Sequence, residues 1–486
     1  MAALFASCVA EPVLASLGGG GFLLAHQPDR EPVLYDFFTQ TPRHRKPLNA
    51  IDFHPITADF GTAQQEFHIG MGAIATPGVI RGLFAIHRSL CRMPLARIIE
   101  PACEAARQGL AVNDFQHYIA EIVSPILLSS EEALRLHSPA SGEKRLADTG
   151  EIVRQPDMAD FFEQLTREGE DLFYQGEVGR TLIDACRSGG GYLTSEDLGR
   201  YRVVPRPPLQ LKYHAARLYT NPPPSVGGTL IAFSLALLEE EGLAAMTPCG
   251  YPHLLRIARA QQLAQQLRAD EGADRDLDQA ASRRFLGRET IERYRRSLRD
   301  HPAFSRGTTQ ISIIDTQGNL ASMTLSNGEG AGYVIPGTGI MMNNMLGEED
   351  INPHGFHRWP ENRRIASMMS PTLILSPDGG AIATGSGGSN RIRSAILQVL
   401  VNLLEFRMPA EQAVEQPRLH YENGLLNVER GPDAPSLERL FEAFPRHRLW
   451  PDKNLFFGGA HTVAIDAAGE LSGKGDSRRG GVALQR

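Results

Sequence analysis

The chain has little of what marks membrane, nucleic-acid-binding or disulfide-stabilised proteins. No apolar run approaches the roughly 18 residues of a bilayer-spanning helix, and a net charge of −7 over 486 residues offers no basic surface for nucleic acid. The cysteines are odd in number, lack a CxxC pair and are typical of free thiols: Cys8, Cys91, Cys103, Cys186 and Cys249. We therefore expect a soluble globular protein of two to four domains, without nucleic-acid or membrane partners.

The first ten residues, MAALFASCVA, are apolar but lack the basic residues that begin a secretory signal, and Glu11-Pro12 follows at once. We interpret them as the end of a buried helix and expect a cytoplasmic protein. A helix that is already apolar at residue 1 suggests that its upstream part is missing, so a periplasmic location stays open.

The most informative change of character comes near residue 307, where strand-like alternation begins. Residues 308–326 predict a hairpin with the loop Thr316-Gln317-Gly318, in which the glycine supplies a left-handed position. Its register sets Thr308 opposite Ser326, so that the polar faces of the two strands coincide.

A threonine hydroxyl needs a neighbouring base to become a nucleophile, and a free α-amine on the same residue is such a base. That amine exists only if the bond between Gly307 and Thr308 is cut, a step for which a glycine leaves room. An ordinary polar-faced hairpin is the alternative, and this segment alone favours it.

A second glycine-rich turn changes that balance. Gly387-Gly388 follows a short apolar strand and precedes a helix with Ile396 and Val399 on one face, and Ser389 is the predicted cap. Two successive N–H groups form a cradle for a developing oxyanion. Phosphate binding and a plain tight turn remain the alternatives.

Two further patterns carry weak signals. His354 and His357 form an HxxH motif beside Glu348-Glu349-Asp350, but without further ligands at helical spacing it does not favour a metal. The run LGGGG at 17–21 precedes a predicted strand rather than a helix, unlike a dinucleotide-binding motif. We expect neither a metal nor a cofactor.

These pieces occur in the same order in the γ-glutamyltransferase family, which the sequence resembles over nearly its whole length. The matching stretches are Glu11-Pro12, Gly18–Phe22, Tyr35-Asp36-Phe37, Thr76-Pro77-Gly78, Leu193–Leu198, Pro222–Gly228, Gly307-Thr308-Thr309, Gly337–Asn344, Ser367–Thr372 and Thr384–Ser389. The resemblance implies the α+β, four-layered αββα fold of N-terminal-nucleophile hydrolases. It also implies autocatalytic cleavage at Gly307-Thr308 into a large subunit, 1–307, and a small subunit, 308–486.

The resemblance further implies the roles of the catalytic residues. Thr308 corresponds to the nucleophile and its α-amine base, and Ser326 stands where the family has a threonine that hydrogen-bonds the nucleophile. Gly387 and Gly388 correspond to the oxyanion-hole glycines.

The substrate-binding residues match the family less well. Asn344 and Glu348 correspond to the loop that binds the donor's α-amino group, although the family usually has aspartate at the latter position. Ser367 matches the first of two serines that bind the donor's α-carboxylate, but Met368 replaces the second. The asparagine that follows the family's threonine is also lost in a shortened loop, residues 327–330.

The largest departure is Phe38, which stands where the family has an arginine that clamps the same carboxylate. Losing that contact removes about 2–3 kcal/mol of binding free energy. The candidates to replace it are Arg43, Arg45, Arg363 and Arg364.

We therefore predict an enzyme that hydrolyses or transfers a γ-glutamyl group from an amide such as glutathione. Its expected partners are that small molecule and the two fragments of the same chain, with a homodimer of the processed heterodimer left open. The alternatives are an amidase for another acyl group, as in the cephalosporin-acylase-like relatives, and a non-catalytic relative. Intact Gly307-Thr308 and Gly387-Gly388 pairs argue against the last.

Overall fold

The computed structural model describes residues 1–59, 64–271, 277–296, 308–352 and 354–485. The chain divides into two compact units. The first comprises Met1–Gly21, Tyr35–Val204 and Leu325–Ile365, and the second comprises Phe22–Leu34, Pro205–Thr324 and Ala366–Arg486. Gly307, and with it the predicted cleavage bond, lies outside the described residues.

Helices dominate the first unit. They span Ala2–Ala10, Val79–Leu90, Leu95–Gln108, Asp114–Ile122, Ser124–Leu127, Glu131–Leu136, Pro156–Glu168, Asp171–Tyr174, Glu177–Ser188 and Ser195–Arg200. The first helix confirms the predicted buried helix at the start of the chain, and the ring of Phe5 packs edge-on against that of Phe162. Helix Leu95–Gln108 packs against both Ala2–Ala10 and Pro156–Glu168, so apolar faces at helical spacing build this core.

The strands are numbered in chain order. They are β1 Gly20–His26, β2 Val33–Asp36, β3 His54–Asp59, β4 Gln64–Ile69, β5 Leu110–Ala111, β6 Ile152–Val153, β7 Val204–Arg206, β8 Leu209–Tyr213, β9 Ala216–Thr220, β10 Thr309–Ile314, β11 Leu320–Ser326, β12 Val334–Ile335, β13 Ile340–Met341, β14 Thr372–Leu375, β15 Ala381–Gly387, β16 Leu419–Glu422, β17 Leu425–Glu429, β18 His447–Trp450, β19 Gly459–Ile465 and β20 Leu471–Lys474. The first unit holds three two-stranded ribbons, β3-β4, β5-β6 and β12-β13.

The second unit is built around two larger sheets. One has the strand order β10-β11-β1-β2-β7, and several of its strands continue along the chain into the first unit; the other has the order β20-β19-β15-β14-β9-β8. Strand β10 contacts β15 and β19, so the two sheets face each other. A smaller sheet has the order β16-β17-β18.

Helices cover the outer side of the six-stranded sheet. The helices of this unit are Gly227–Leu238, Tyr251–Asp270, Gln279–Phe285, Arg288–Arg296, Arg391–Leu404, Ala410–Glu415 and Ala434–Ala443. Helix Arg391–Leu404 contacts β15 and β19 on one side and Gly227–Leu238 on the other. Within this unit the layers therefore run sheet, sheet, helix.

The hairpin β10–β11 has the predicted loop. Asp315 N donates to the carbonyl oxygen of Asn319 over 3.1 Å, and Gly318 is left-handed with φ +79°. Thr324 Oγ1 donates to Gln310 Oε1 over 2.6 Å, as the predicted register requires of these two opposite residues.

The polar face of this hairpin packs against the facing six-stranded sheet. Ser322 Oγ donates to the carbonyl oxygen of Thr384 over 2.7 Å, and Ser312 Oγ donates to that of His461 over 2.8 Å. Ile313, on the other face, is 44% exposed. Hydrogen bonds to the facing sheet therefore replace the apolar contacts that a buried strand face usually makes.

One expectation about the second glycine turn is wrong. The N-cap of helix Arg391–Leu404 is Asn390, without a side-chain capping bond, and Ser389 precedes it with a left-handed φ of +47°. The turn between β15 and this helix is one residue longer than predicted. Both Gly388, at φ +121°, and Ser389 are left-handed, so the helix begins one residue later. The run LGGGG leads into strand β1, as predicted.

Among the described residues, the helices are either too short or too polar to cross a bilayer.

Candidate active site

Thr308 lies directly before β10 in the second unit and is 4% exposed. A Cβ atom on Gly387 would overlap the carbonyl oxygen of Thr308, so these two backbones touch. Only glycine allows so close an approach. Two of the predicted catalytic elements, the threonine and the glycine turn, thus lie side by side.

The second glycine of the turn is equally constrained. A Cβ on Gly388 would lie 2.9 Å from Gly458 Cα, and its φ of +121° disfavours any other residue. The strand β15 runs into Gly387, which pairs with Gly459 of β19. A turn fixed by two neighbouring strands and a following helix can present N–H groups in a constant direction.

Arg479 completes this group, although no pattern in the sequence indicates it. Its Nη1 donates to the carbonyl oxygen of Thr308 over 3.3 Å, and its side chain borders the positions that a Cβ of Gly387 or Gly388 would take. The residue is 5% exposed. A run of two arginines near the end of the chain resembles a solvated tail, so only the fold reveals its position.

A buried ionic network holds Arg479 in place. Asp476 is fully buried, pairs with Arg418 over 2.6 Å and with Arg478 over 3.2 Å, and accepts a hydrogen bond from the Ala460 amide over 2.8 Å. Burial opposes the ionisation of Asp476, but the two arginines outweigh it and hold its pKa at about 2. Arg479 therefore belongs to a short helical turn, Ser477–Arg479, that is anchored by charge pairs.

Ser326, Asn344 and Glu348 come together in the first unit around Gly328. Ser326 Oγ accepts a hydrogen bond from the Gly328 amide over 3.1 Å. A Cβ on Gly328, whose φ is +65°, would overlap Asn344 Oδ1 and Glu348 Oε1. The structure thus groups three of the predicted site residues around one loop.

Asn344 uses its side chain to hold this loop. Its Oδ1 accepts from the Glu329 amide over 2.9 Å and from the Gly330 amide over 3.3 Å, and its Nδ2 donates to the carbonyl oxygen of His68 over 3.3 Å. Glu348 is buried at 7% exposure. Among Ser326, Asn344 and Glu348, only the buried carboxylate of Glu348 offers a charge that could pair with a positively charged group of a substrate.

Ser367 lies in the second unit, next to the proline-rich segment Pro222–Gly228. Its Oγ accepts from the Met369 amide over 3.0 Å, and its carbonyl oxygen accepts from Ser225 Oγ over 2.6 Å and from the Val226 amide over 2.9 Å. Met368, at the position of the second serine, is 7% exposed.

Phe38 is buried at 1% exposure, and its backbone contacts Arg364. Arg364 donates to the carbonyl oxygens of Phe38 and Arg202 and to Tyr201 Oη, and its Nε lies 3.2 Å from Asp36 Oδ1. Burial disfavours its charge, but Tyr201 and Asp36 outweigh that effect and raise its pKa. All these partners belong to the protein, so Asp36 already balances the charge of Arg364 within the first unit.

The other candidate arginines are placed differently. Arg45 donates to the carbonyl oxygen of Trp359 and lies 5.5 Å from the centre of its ring. Arg43 and Arg363 are anchored through backbone amides, to Asp197 Oδ1 and Thr41 Oγ1 respectively, each over a distance below 3 Å. Arg363 is exposed.

The HxxH motif takes part in an aromatic cluster of the first unit. His357 Nδ1 lies 2.8 Å from Tyr192 Oη, and its ring lies 4.3 Å from that of Phe53. Among the described residues, no three His, Cys, Asp or Glu side chains converge as a metal site would require.

Comparison with known proteins identifies the class. The crystal structure of a cephalosporin acylase from Bacillus halodurans superposes with a TM-score of 0.84 at 20% identity, covering 99% of this chain and 89% of that one. The γ-glutamyltranspeptidase of Helicobacter pylori gives a TM-score of 0.53 at 23% identity, over 62% of this chain and 85% of that one. The fold is that of the N-terminal-nucleophile hydrolases, which confirms the predicted α+β class.

The sequence comparisons then give the family. Residues 1–485 match the gamma-glutamyltranspeptidase family, and this chain belongs to it. The glutathione hydrolase proenzyme of Escherichia coli (strain K12) is 26% identical over 98% of this chain and 85% of its own length. The acylase ACY 1 proenzyme of Pseudomonas sp. (strain SE83) is 27% identical over 97% and 86%. These relatives support an amide hydrolase or transpeptidase.

Proposed function

We propose that this chain is an amide hydrolase that cuts itself between Gly307 and Thr308 and then uses Thr308 as its nucleophile. The observation that carries the proposal is the contact of the Thr308 backbone with Gly387 and Arg479 in the second unit. It brings a threonine at the start of a strand, a two-glycine turn and a fixed positive charge together.

Maturation begins when the Thr308 hydroxyl oxygen attacks the carbonyl carbon of Gly307. The C–N bond between the two residues breaks, an ester to the Thr308 side chain forms, and the Thr308 nitrogen takes up a proton to become an amine. Water then hydrolyses the ester, leaving a carboxyl group on Gly307 and a free hydroxyl group on Thr308. The products are residues 1–307 and 308–486.

In turnover the Thr308 amine accepts the proton of the Thr308 hydroxyl as its oxygen attacks the substrate amide. The N–H groups at Gly387 and Gly388 stabilise the oxyanion, a contribution typically worth 10²–10³ in rate. The family resemblance assigns the orientation of the hydroxyl to Ser326. The amine product leaves with the proton, and water or an acceptor amine then takes the acyl group from Thr308.

Two acyl groups are candidates. A γ-glutamyl group is favoured by the family and by the buried Glu348, whose carboxylate suits the substrate's α-ammonium, with Asn344 and Ser367 as further ligands. A different acyl group without an α-carboxylate is favoured by Phe38 and by the contacts of Arg364 with Tyr201, Asp36 and the carbonyl oxygen of Phe38.

Cleavage is tested on gels and by amino-terminal sequencing. The 53.2 kDa chain should convert to two fragments, of which the smaller begins TTQIS. Thr308→Ala should remain one chain and be inactive, whereas the control Thr316→Ala, in the exposed hairpin loop, should mature normally. Normal maturation of Thr308→Ala would refute the proposed nucleophile.

Substrate choice is tested with γ-glutamyl, glutaryl and simple acyl anilides. The first two differ only in the α-amino substituent, because a glutaryl group keeps the terminal carboxylate. A γ-glutamyl preference therefore supports the first candidate, and a simple acyl preference supports the second. A preference for glutaryl over γ-glutamyl would contradict the proposed role of Glu348. Glu348→Gln should lower kcat/KM about tenfold or more for the γ-glutamyl substrate alone. Cleaved protein that turns over none of the three would contradict both.

A further inference from the structure

The first unit carries a cluster of positive charges that the proposed chemistry does not use. We call it the basic surface, and its members are Arg43, Arg45, Lys46, Arg358 and Arg363. Three of these residues are exposed, and Arg43 and Lys46 are half-buried. Among the described residues, none of the five side chains pairs with a carboxylate. The chain as a whole has a net charge of −7, so this cluster is a local reversal of its charge.

Hydrogen bonds hold the two segments of the basic surface side by side. The Thr41 amide donates to the carbonyl oxygen of Arg363 over 2.8 Å, and the Asn362 amide donates to that of Pro42 over 2.9 Å. Thr41 Oγ1 in turn accepts from the Arg363 amide over 2.8 Å. Because the backbones are joined at these points, the charges of both segments act on the same region of solvent.

Two of the cations are also fixed by their side chains. Arg45 donates to the carbonyl oxygen of Trp359 and lies 5.5 Å from the centre of its ring, and Lys46 donates to the carbonyl oxygen of Gly191. These partners carry no net charge. They therefore orient the two side chains without neutralising them.

The carboxylates nearby bind the backbone of the basic surface rather than its side chains. Glu361 Oε1 accepts from the Arg45 amide over 2.9 Å, and Asp197 Oδ1 accepts from the Arg43 amide over 2.7 Å. Two acids cannot balance five cations, so the basic surface keeps a net positive charge that suits an anionic ligand.

The basic surface begins beside the position at which the resemblance places the acyl end of the substrate. Arg363 directly precedes Arg364, which donates to the carbonyl oxygen of Phe38. Phe38 is 1% exposed and the side chain of Arg364 is 7% exposed, so both are shielded from solvent. The exposed cations therefore face the part of a bound amide that extends outward, which is its amine part.

We propose that the basic surface recognises a carboxylate on the amine part of the substrate, so that the preferred substrates are amides of acidic amino acids or acidic peptides. The inference rests on the proposed function, because it concerns the group that leaves Thr308. Exposed ion pairs are individually weak and are screened by salt. Several cations acting together should therefore raise kcat/KM about fivefold, and mainly at low ionic strength.

Two anilides with the same acyl group test the proposal on the cleaved protein. One releases 4-nitroaniline and the other 3-carboxy-4-nitroaniline, so they differ by a single carboxylate. Arg43→Gln/Arg363→Gln should lower the ratio of their kcat/KM values, carboxylated over uncarboxylated, about fivefold relative to wild type at low ionic strength. The matched control Arg92→Gln/Arg167→Gln removes as much charge from exposed positions outside the basic surface and should keep the wild-type ratio.

Salt should act in the same direction as the substitutions. At about 0.5 M NaCl the Debye length falls to about 4 Å, and the ratio for wild type should approach that of Arg43→Gln/Arg363→Gln. A melting curve checks that each variant folds; if the double variant does not, the single variant Arg363→Gln, at an exposed position, decides by a fall of about twofold.

The two anilides also separate this inference from the proposed function. If the uncarboxylated anilide is turned over but the ratio is the same in Arg43→Gln/Arg363→Gln as in wild type, or falls equally in the control, the inference is wrong and the proposed function stands. If the cleaved protein turns over neither anilide with any acyl group, both are wrong.

Discussion

Replacing Arg479 by glutamine should raise the pKa of the catalytic amine. Arg479 donates to the carbonyl oxygen of Thr308 over 3.3 Å, which puts its charge about 5 Å from the nitrogen of that residue. At an effective dielectric constant of about 20, the repulsion between two positive charges at this distance is about 3 kcal/mol, or about two pKa units. Water that enters the vacated space screens part of this effect, so we expect the pKa of the amine to rise by about one unit in Arg479→Gln.

The sign follows from the role of the amine. It acts as a base only when neutral, and the guanidinium disfavours its protonated form. Without that charge the amine stays protonated to higher pH. The acid limb of the kcat/KM profile should therefore shift to higher pH. The hydrogen bond to Thr308 is also lost, which should lower the pH-independent rate about tenfold.

The assay is the pH dependence of kcat/KM for the cleaved fraction of each variant. Arg479→Lys is the matched control, because it keeps the charge and should keep the acid limb while losing part of the rate. An acid limb that stays in place, or moves to lower pH, in Arg479→Gln would show that Arg479 does not lower the pKa of the amine, even if the rate falls.

Two further predictions concern the same unit. Gly387→Ala should reduce self-cleavage and kcat by at least about 10²-fold and lower the stability by about 1–3 kcal/mol, because the added methyl group meets the Thr308 carbonyl oxygen. Cleavage rates and thermal melts measure these effects, and normal cleavage would contradict the prediction. The charge of Asp476 should contribute about 2 kcal/mol to the free energy of unfolding. This contribution is complete above the ordinary pKa of 3.8 and is lost as pH falls through the folded pKa of about 2. In urea melts from pH 6 to pH 2, the stabilities of wild type and Asp476→Asn should converge, and a constant difference would contradict the prediction.

Much of the local structure was predictable because it depends on short-range rules. The loop Thr316-Gln317-Gly318 requires a left-handed third residue, and the alternation on both sides then fixes the pairing of Gln310 with Thr324. The glycine turn at Gly387-Gly388 was predictable for the same reason. The cap at Ser389 was not, since a second left-handed residue shifts the helix start by one position.

The remaining features depend on contacts between distant segments. No spacing connects Arg479 with Thr308, and neither residue type predicts the other. The sequence likewise does not show that Arg364 contacts Asp36, Tyr201 and two carbonyl oxygens. The oxyanion role of the glycines and the cleavage at Gly307 stay predictions.

The polar layer between the two sheets of the second unit has a mechanical consequence. Apolar side chains can slide past one another at little cost, but the bonds from Ser312 and Ser322 to carbonyl oxygens of the facing sheet have fixed lengths and directions. A shear of one sheet by a single residue would break them together. The strand that begins after Thr308 is thereby locked in position against the sheet that carries Gly387.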